Sequence, residues 1–457
     1  MSYSKRFKNY CEFERECVDF IKSFTQSSLL LFKDWNNIDL IPAIERHLYI
    51  SFLTNPTLFY ILLDSLSKEK FDYEDNSLKT YLKYKYNIFN KFSLLRKLKD
   101  EIKFDNLNDL ELYVNKHKYM VIVHHPKFVY YLIESGFKDK NILWVVLNQN
   151  KKIRKILGKK ETVISLPKGL DSNIYHPLID PIINLSSKIY SLLSIIKPRY
   201  IICVEGDAPY HSAIAAISKV NNIKSICIQW GIFYPNKIDI GFSNMKFDYF
   251  LAWGKYFADQ LTPLNKSLDI RLFGYPNQKF MSHQYKKSNK IIFLSQPPID
   301  HITQQNFDDY IFIMRELSIR LKDFEIVYRS HPSFISSEIE NSLRDSRITL
   351  DHEDNLFHHL SDSIISVGIL TSALLESVLL DSIPISFNPT CLRHSIDFNQ
   401  MGIGISVSNK TDAINKICNL AEDSSLMDSY RSKILNVKKD LFEFNQKKTI
   451  MDFIESI

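Results

Sequence analysis

The chain has 457 residues, which at about 100–200 residues per domain predicts two or three domains. Hydrophobic residues make up 45% and charged residues 24%, which is close to the globular average and excludes a mainly disordered or fibrous chain. The formal net charge of +6 is small for this length and argues against a dedicated nucleic-acid binder.

The first 112 residues read as helices, because apolar residues recur three and four positions apart. Within them begins a basic stretch, 79–103, with apolar residues at near-helical spacing. It predicts either a helix that contacts an anionic membrane surface or an ordinary solvated helix face. We find neither an apolar signal core nor an apolar run of about 18 residues. We therefore expect a cytoplasmic protein, with peripheral contact at the inner face of the cytoplasmic membrane as an option.

Residues 113–280 predict a first α/β domain. Short apolar runs rich in β-branched and aromatic residues alternate there with helical runs, which is typical of a parallel sheet covered on both faces. The glycine-rich phosphate-binding motifs G-x-x-x-x-G-K-S/T and G-x-G-x-x-G are absent from the whole chain, which argues against P-loop proteins and single-Rossmann dehydrogenases. The predicted strands of this domain are 119–125, 141–148, 200–206, 224–231 and 247–254.

The same alternation starts again in residues 281–457, after a polar linker predicted at 281–290, and ends in amphipathic helices. The sequence therefore predicts an α/β fold of two Rossmann-like parallel-sheet domains that face a cleft, with an added N-terminal helical region. Ligands of such sheets bind at the carboxyl ends of the strands. The predicted strands of the second domain are 290–296, 324–332, 361–368 and 382–387.

Two strand ends in the second domain carry candidate ligand-binding residues. Arg329, His331 and Pro332 end one strand, and a protonated imidazole there is suited to a phosphate oxygen. Hydroxyl groups and a carboxylate follow the strand at 361–368, where they predict either an anion site or a plain helix cap. The donor-binding candidates outside the Arg-Ser-His-Pro run are Ser295, Gln296, Thr371, Ser372 and Glu376.

The segment 361–387 resembles the donor site of bacterial surface-polysaccharide glycosyltransferases of the GT-B fold, a set that includes sialyltransferases, capsule Kdo-type transferases and CDP-glycerol transferases. By that resemblance, His331 with Pro332 and the pair Thr371 and Ser372 hold the nucleotide phosphates. The run 227–235 resembles the Q-H-G turn of the same proteins, with Trp230 where histidine is common.

The acceptor side is predicted to lie in the first domain. Glu205 and Asp207 follow a predicted strand, and a carboxylate there can take the proton of an acceptor hydroxyl. The alternative is a turn in which Asp207 caps the next helix. Bacterial sialyltransferases have a similar acidic motif in this place. His125 and His211 are the candidates for contact with the acceptor, and His331 joins the two acids as a catalytic candidate.

These residues predict a glycosyltransferase that moves a sugar, favoured as a CMP-activated acidic sugar of the sialic or Kdo type, to a capsule or lipopolysaccharide glycan. Its expected partners are a nucleotide-sugar donor and a glycan or lipid-linked glycan acceptor, with no nucleic acid and no cofactor. Metal-independent chemistry is expected, although His352, His358 and His359 lie close together in the sequence, as metal ligands can. The alternatives are a CDP-polyol or UDP-sugar transferase, a sugar-nucleotide 2-epimerase and a non-catalytic glycan-assembly protein.

Overall fold

In a computed structural model, the chain forms the two sheets that the strand pattern predicts. Its described residues include nearly all of the predicted strand segments and leave out most of the basic stretch 79–103, so the membrane hypothesis lies outside them. The described residues are 10–27, 38–54, 59, 103–104, 117–137, 141–147, 151–158, 162–166, 180–206, 208–233, 240–275, 286–296, 303–331, 337–344, 346–352, 356–369, 371–389, 396–442 and 450–457.

The first sheet has eight described strands in the order β1-β4-β3-β2-β5-β6-β7-β8. All neighbours are parallel except β1, which runs antiparallel to β4 at the edge. Every residue of β2, β3 and β5 is buried, as expected for apolar strands with helices on both faces. The strands are β1 (Lys103–Phe104), β2 (Tyr119–Val123), β3 (Ile142–Leu147), β4 (Thr162–Leu166), β5 (Tyr200–Val204), β6 (Lys224–Ile228), β7 (Tyr249–Ala252) and β8 (Asp269–Leu272).

The second sheet has six described strands in the order β11-β10-β9-β12-β13-β14, all of them parallel. Its first strand begins at Ser288, inside the stretch that the sequence predicted as a linker. The strands are β9 (Ser288–Leu294), β10 (Glu325–Arg329), β11 (Ile348–Asp351), β12 (Ser363–Ile369), β13 (Ile383–Phe387) and β14 (Ile405–Val407).

Each sheet has one point at which the direction of winding reverses. In the first sheet the chain winds from β2 outward to β4 and then returns to the other side of β2 with β5. In the second it winds from β9 outward to β11 and returns with β12. The loops that follow the two strands at such a point diverge and leave a crevice, which is where open α/β sheets bind ligands. The candidate residues Glu205, His331 and Thr371 all lie near these two crevices.

Sixteen helices are described. Most of them connect the parallel strands, and the longer ones bury an apolar face against a sheet. They are α1 (Tyr10–Ser27), α2 (Ile41–Thr54), α3 (Pro126–Glu134), α4 (Lys151–Leu157), α5 (Asp180–Ile196), α6 (Pro209–Val220), α7 (Ile240–Ser243), α8 (Lys255–Leu261), α9 (Gln304–Arg320), α10 (Ser337–Leu343), α11 (Leu356–Asp362), α12 (Ala373–Leu379), α13 (Phe398–Met401), α14 (Lys410–Glu422), α15 (Ser424–Leu441) and α16 (Ile450–Ser456).

Helices α1 and α2 attach to the first domain through a shared core and a buried carboxylate. Glu45 of α2 accepts hydrogen bonds from Thr25 of α1 at 2.8 Å and from Asn244 of the first domain at 3.0 Å. Burial raises the pKa of Glu45, and these two donors partly offset that cost. The prediction of a purely helical region up to residue 112 needs one correction, because the short strand β1 lies within it.

The end of the chain returns from the second domain to the first. Helix α15 reaches Gly254, where a Cβ atom would lie 2.3 Å from the carbonyl oxygen of Asp440. Helix α16 then packs on the first sheet, with Ile450 and Ile454 fully buried beside β2 and β3. The last helix is therefore part of the core of the first domain. None of the helices in the described part of the chain is long and apolar enough to span a membrane.

Candidate active site

Strain at the end of β5 marks the crevice of the first sheet. Glu205 has a φ of 90°, a left-handed value that costs a non-glycine residue roughly 1–3 kcal/mol. The following Gly206 has a φ of 93°, and a Cβ there would lie 2.4 Å from the Cys227 sulfur. The backbone N–H of Glu205 donates to the Ile228 carbonyl at 2.9 Å, which holds the strained turn against β6. Strain of this kind clusters at functional sites, where surrounding contacts maintain it.

A histidine from β2's loop faces this carboxylate. The His124 Nε2 atom lies 4.0 Å from Glu205 Oε2, and the opposite ring nitrogen, Nδ1, contacts the Tyr210 hydroxyl. Tyr210 belongs to α6, so three elements position one carboxylate, one imidazole and one phenol. His124 and Glu205 remain partly exposed to the cleft. The arrangement can accept and relay a proton. Asp207, the other predicted base, lies outside the described residues.

The two histidines predicted to contact the acceptor have different surroundings. His211 is 1% exposed, and its Nδ1 atom accepts a hydrogen bond from the backbone N–H of Ala208. It caps α6 from inside and is buried, and its contact with an acceptor stays a prediction. His125 is exposed and caps α3 by accepting from the backbone N–H of Lys127 at 3.2 Å. Its ring stays at the cleft, where burial and the charges of Lys127, Lys152 and His331 lower its pKa.

Lys127 is a cleft residue that the sequence interpretation missed. Its ammonium lies 4.6 Å from the centre of the Trp230 ring, a cation–π distance. Trp230 packs edge-on against Phe128 and Tyr131, which fixes its indole beside α3. Burial lowers the pKa of Lys127, whereas the carboxylates of Glu205 and Glu376 act in the opposite direction. The run His-His-Pro-Lys at the end of a strand could have indicated this residue, but one lysine is not distinctive in a lysine-rich chain.

The crevice of the second sheet contains His331 at the end of β10. Its ring is partly buried, and burial together with the nearby Lys127 lowers its pKa. Ser295, at the end of β9, accepts a hydrogen bond from the Tyr328 hydroxyl at 3.0 Å and is itself buried. Gln296 follows it and is partly exposed, while Pro332 lies outside the described residues. His331 and Gln296 are thus the accessible members of this group.

Arg329 has a structural partner that the sequence did not indicate. Its guanidinium lies 2.6 Å from the Asp351 carboxylate of β11, and both side chains are almost fully buried. The other oxygen of Asp351 lies 3.2 Å from His359 Nε2. This pairing buries and neutralises the guanidinium, and the contact of Arg329 with a donor stays a prediction. His352 lies 3.7 Å from Glu340 instead, and the described residues contain no group of three or more His, Cys, Asp or Glu side chains placed to hold a metal ion.

Thr371 and Ser372 lie between β12 and α12, at the seam of the two domains. The Thr371 hydroxyl accepts from the backbone N–H of Ala373 at 3.3 Å, so it also serves as a local cap. Ser372 is partly exposed and approaches the first domain, since a Cβ at Gly231 would lie 3.3 Å from the Ser372 Cβ. The loops after β6 and β12 therefore meet across the cleft.

Glu376, on α12, is half-buried and faces residues of the first domain. Its carboxylate accepts a hydrogen bond from the Tyr275 hydroxyl and lies near Lys127 and Tyr131. The second carboxylate oxygen, Oε2, is buried and has no hydrogen-bond partner among the described residues. An acceptor in this state is suited to a ligand hydroxyl, such as one of a ribose.

The fold of the chain has solved counterparts, although no family model and no curated protein matches its sequence. The UDP-GlcNAc 2-epimerase from Neisseria meningitidis, bound to UDP-GlcNAc, has a TM-score of 0.51 at 14% identity, over 74% of this chain and 99% of the epimerase. Os79 from O. sativa, in complex with UDP, has a TM-score of 0.53 at 8% identity, over 74% and 98% of the two chains. MnaA from S. aureus, solved with UDP, has a TM-score of 0.50 at 13% identity, over 69% and 91%.

The chain has the GT-B fold. The two parallel sheets, the cleft between them and these structural neighbours together confirm the fold predicted from the strand pattern. At 8–14% identity the likeness extends to the fold alone. The site of this GT-B chain therefore has to be interpreted from its own side chains.

We expect the free energy of unfolding of the chain to depend on pH through the carboxylate of Glu376. Burial raises its pKa from the ordinary 4.5 to about 7, so the folded chain holds this proton more tightly than the unfolded chain. The free energy of unfolding therefore falls as pH rises from 4.5 to about 7, by at most about 3 kcal/mol from this group. We expect Glu376→Gln to unfold at higher denaturant concentration than the natural protein at pH 8, and the difference to shrink at pH 5.

Denaturant titrations at the two pH values measure this difference. Glu422→Gln, a change at an exposed position on α14, is the matched control and should leave the midpoint unchanged at both. A Glu376→Gln variant that is less stable than the natural protein at pH 8 would show that the carboxylate is charged and well compensated.

Proposed function

We propose that the chain is a glycosyltransferase that takes its sugar from a nucleotide donor bound in the second domain. One observation carries the proposal: the loops at the two switch points converge on one cleft, with an acid–imidazole pair on the first domain and imidazole, hydroxyl and carboxylate groups on the second. A transfer reaction needs a base for the acceptor hydroxyl and a binding site for the leaving nucleotide. The two sides of this cleft supply these separately.

In the proposed reaction the acceptor hydroxyl donates its proton to Glu205 as its oxygen bonds to the anomeric carbon. The bond between that carbon and the donor phosphate breaks, and the electron pair stays on the phosphate oxygen. His124, fixed by Tyr210, stabilises the orientation of Glu205. His331 and Ser372 hold the phosphate, and the unpartnered oxygen of Glu376 accepts from a ribose hydroxyl.

The identity of the donor is the finer part of the proposal. The neighbours crystallised with UDP-GlcNAc and UDP support a nucleotide sugar, whereas the preference for a CMP-activated acidic sugar rests on the resemblance of the segment 361–387. We propose a bacterial surface glycan as the acceptor on the same resemblance. A thermal-shift panel of CMP, CDP, UDP and GDP tests the nucleotide, because a ligand that binds only the folded state raises its stability. Radiolabelled donors then test transfer.

A sugar-nucleotide 2-epimerase is the second candidate, and the neighbour from Neisseria meningitidis favours it. Such enzymes normally carry a Gly-Gly and then a Glu-Glu run in the donor loop, where this chain has Gly368-Ile-Leu-Thr-Ser. An epimerase interconverts UDP sugars without any acceptor. Product analysis in the absence of acceptor therefore separates the two activities, and a protein that binds nucleotide without turnover would be a non-catalytic assembly factor.

We expect the transfer to proceed without a divalent metal. Imidazole, hydroxyl and ammonium groups at the cleft are available to neutralise the phosphate, and Asp351 is committed to Arg329 and His359. Activity should therefore persist after treatment with EDTA, measured against the untreated enzyme. If EDTA abolishes transfer and Mg²⁺ or Mn²⁺ restores it, the prediction is wrong, and Glu353 and Asp354, which lie outside the described residues, become candidate ligands.

A further inference from the structure

Lys127 carries its charge in a place that disfavours a cation. It is the second residue of α3, and the positive end of a helix dipole repels an ammonium group there. The ammonium lies against the Trp230 and Phe128 rings, at 4.6 and 5.3 Å from their centres, which removes part of its hydration. His125 and His331 are close enough that the lysine charge lowers the pKa of both. The helix dipole, the aromatic contacts and the neighbouring imidazoles therefore all act against this charge, while the side chain itself stays exposed at the cleft.

No direct partner in the described part of the chain compensates for these costs. Lys127 forms neither an ion pair nor a side-chain hydrogen bond with any described residue, and its closest contacts are the two aromatic faces. Glu205 from the first domain and Glu376 from the second act on it only through their longer-range fields. An exposed cation at the cleft, with neither carboxylate in direct contact, leaves room for an anionic ligand atom beside it.

The position of Lys127 indicates which anion that is. Its field couples to Glu205, the proposed base for the acceptor, and to Glu376 and His331, the proposed contacts of the donor. A group between these two sets lies beside the bond that is exchanged. On the basis of the proposed function, we infer that Lys127 is a catalytic residue that contacts the phosphate leaving the donor and stabilises its charge from the opposite domain.

The transfer step then requires the two domains to be in contact, because each of them contributes groups that stabilise the charge of the phosphate. The phosphate is held by His331 and Ser372 of the second domain, and Lys127 approaches it from the first, beside the Gly231–Ser372 contact. As the bond to the anomeric carbon breaks, the electron pair and negative charge collect on the phosphate oxygen. An ammonium that already lies against the Trp230 ring stabilises this charge with little rearrangement of the protein. The Trp230 ring, 4.6 Å from the ammonium, holds it in position.

The test uses Lys127→Met, which keeps the length of the side chain and removes the charge, with Lys127→Arg as the conservative variant. Lys219→Met, at the exposed end of α6, is the matched control. Binding of UDP, uridine, CMP and cytidine is measured by calorimetry, and steady-state transfer gives kcat and KM. Because methionine removes a disfavoured charge, the variant should melt no lower than the natural protein, and the melting temperature checks this.

We expect Lys127→Met to lower kcat by about 10²–10³-fold, the scale for losing one charge-stabilising group, with a smaller change in KM. The affinity for the phosphorylated nucleotides should fall while that for the nucleosides stays unchanged, and Lys127→Arg should recover part of both. If Lys127→Met binds UDP and CMP as the natural protein does and keeps its kcat, the inference is wrong, although the transferase proposal stands. If the natural protein binds no nucleotide and transfers no sugar, the proposed function fails, and the role of Lys127 fails with it.

Discussion

Replacing Glu205 by Gln should reduce transfer by ~10²–10⁴-fold, the usual contribution of a general base. The change keeps the shape of the side chain in its strained turn and removes the charge that accepts the acceptor proton. Nucleotide binding should survive, since Glu205 is not among the proposed contacts of the donor. Transfer of labelled sugar and calorimetric titration with the nucleotide measure the two properties separately.

Asp207→Asn is the natural comparison, because both acids follow β5 and only one of them is expected to act as the base. A normal rate for Glu205→Gln with a large loss for Asp207→Asn would transfer the role to Asp207. Normal rates for both would place the base elsewhere, with His124 as the next candidate, since it lies 4.0 Å from Glu205. Loss of nucleotide binding in both variants would contradict the division of the cleft into acceptor and donor sides.

His331→Ala should leave the fold intact and reduce transfer by about 10²-fold or more, the scale for one charge-stabilising donor. Burial and Lys127 lower the pKa of this histidine and so favour the neutral ring. A bound phosphate reverses that balance by favouring the protonated ring. We therefore also expect nucleotide binding to take up a proton, which calorimetry in buffers of different ionisation enthalpy detects as a buffer-dependent heat.

His352→Ala is the matched control for this experiment. His352 follows β11, next to the strand that carries His331, but it is exposed and faces Glu340. Its loss should change neither the rate nor the buffer dependence. Wild-type turnover by purified His331→Ala would remove this residue from the mechanism, and proton uptake that persists in that variant would assign the titration to another group.

The sequence predicted the fold well where strands are continuously apolar. The runs 119–125, 200–206 and 361–368 are recognisable because parallel strands with helices on both faces contain few polar residues. The missed strands are short or lie towards the sheet edges, and polar residues make up a third to a half of each one, which hides the apolar pattern. Strand β8 reads Asp-Ile-Arg-Leu and none of its residues is fully buried, so composition gave no basis for it.

The site was predictable only in part. The position of a residue along its strand follows from the local sequence, whereas the partner of its side chain comes from another part of the chain. His331 and Thr371 follow strands of the second sheet, and their placement at strand ends was visible in the pattern. The burial of Arg329 depends on Asp351, which arrives on the neighbouring strand 22 residues later. The burial of His211 depends on how α6 docks. Lys127 became significant only when the second domain placed Glu376 opposite it.

Helix α16 determines when the core of the first domain can be completed during folding. Ile450 and Ile454 of α16 complete the core of the first domain, and Glu455 contacts Lys118 and Tyr119 at the start of β2. During synthesis these residues leave the ribosome after the whole second domain has emerged. The sheet translated first therefore keeps an apolar face open to chaperones throughout that time, and it reaches its final stability only once α16 has emerged.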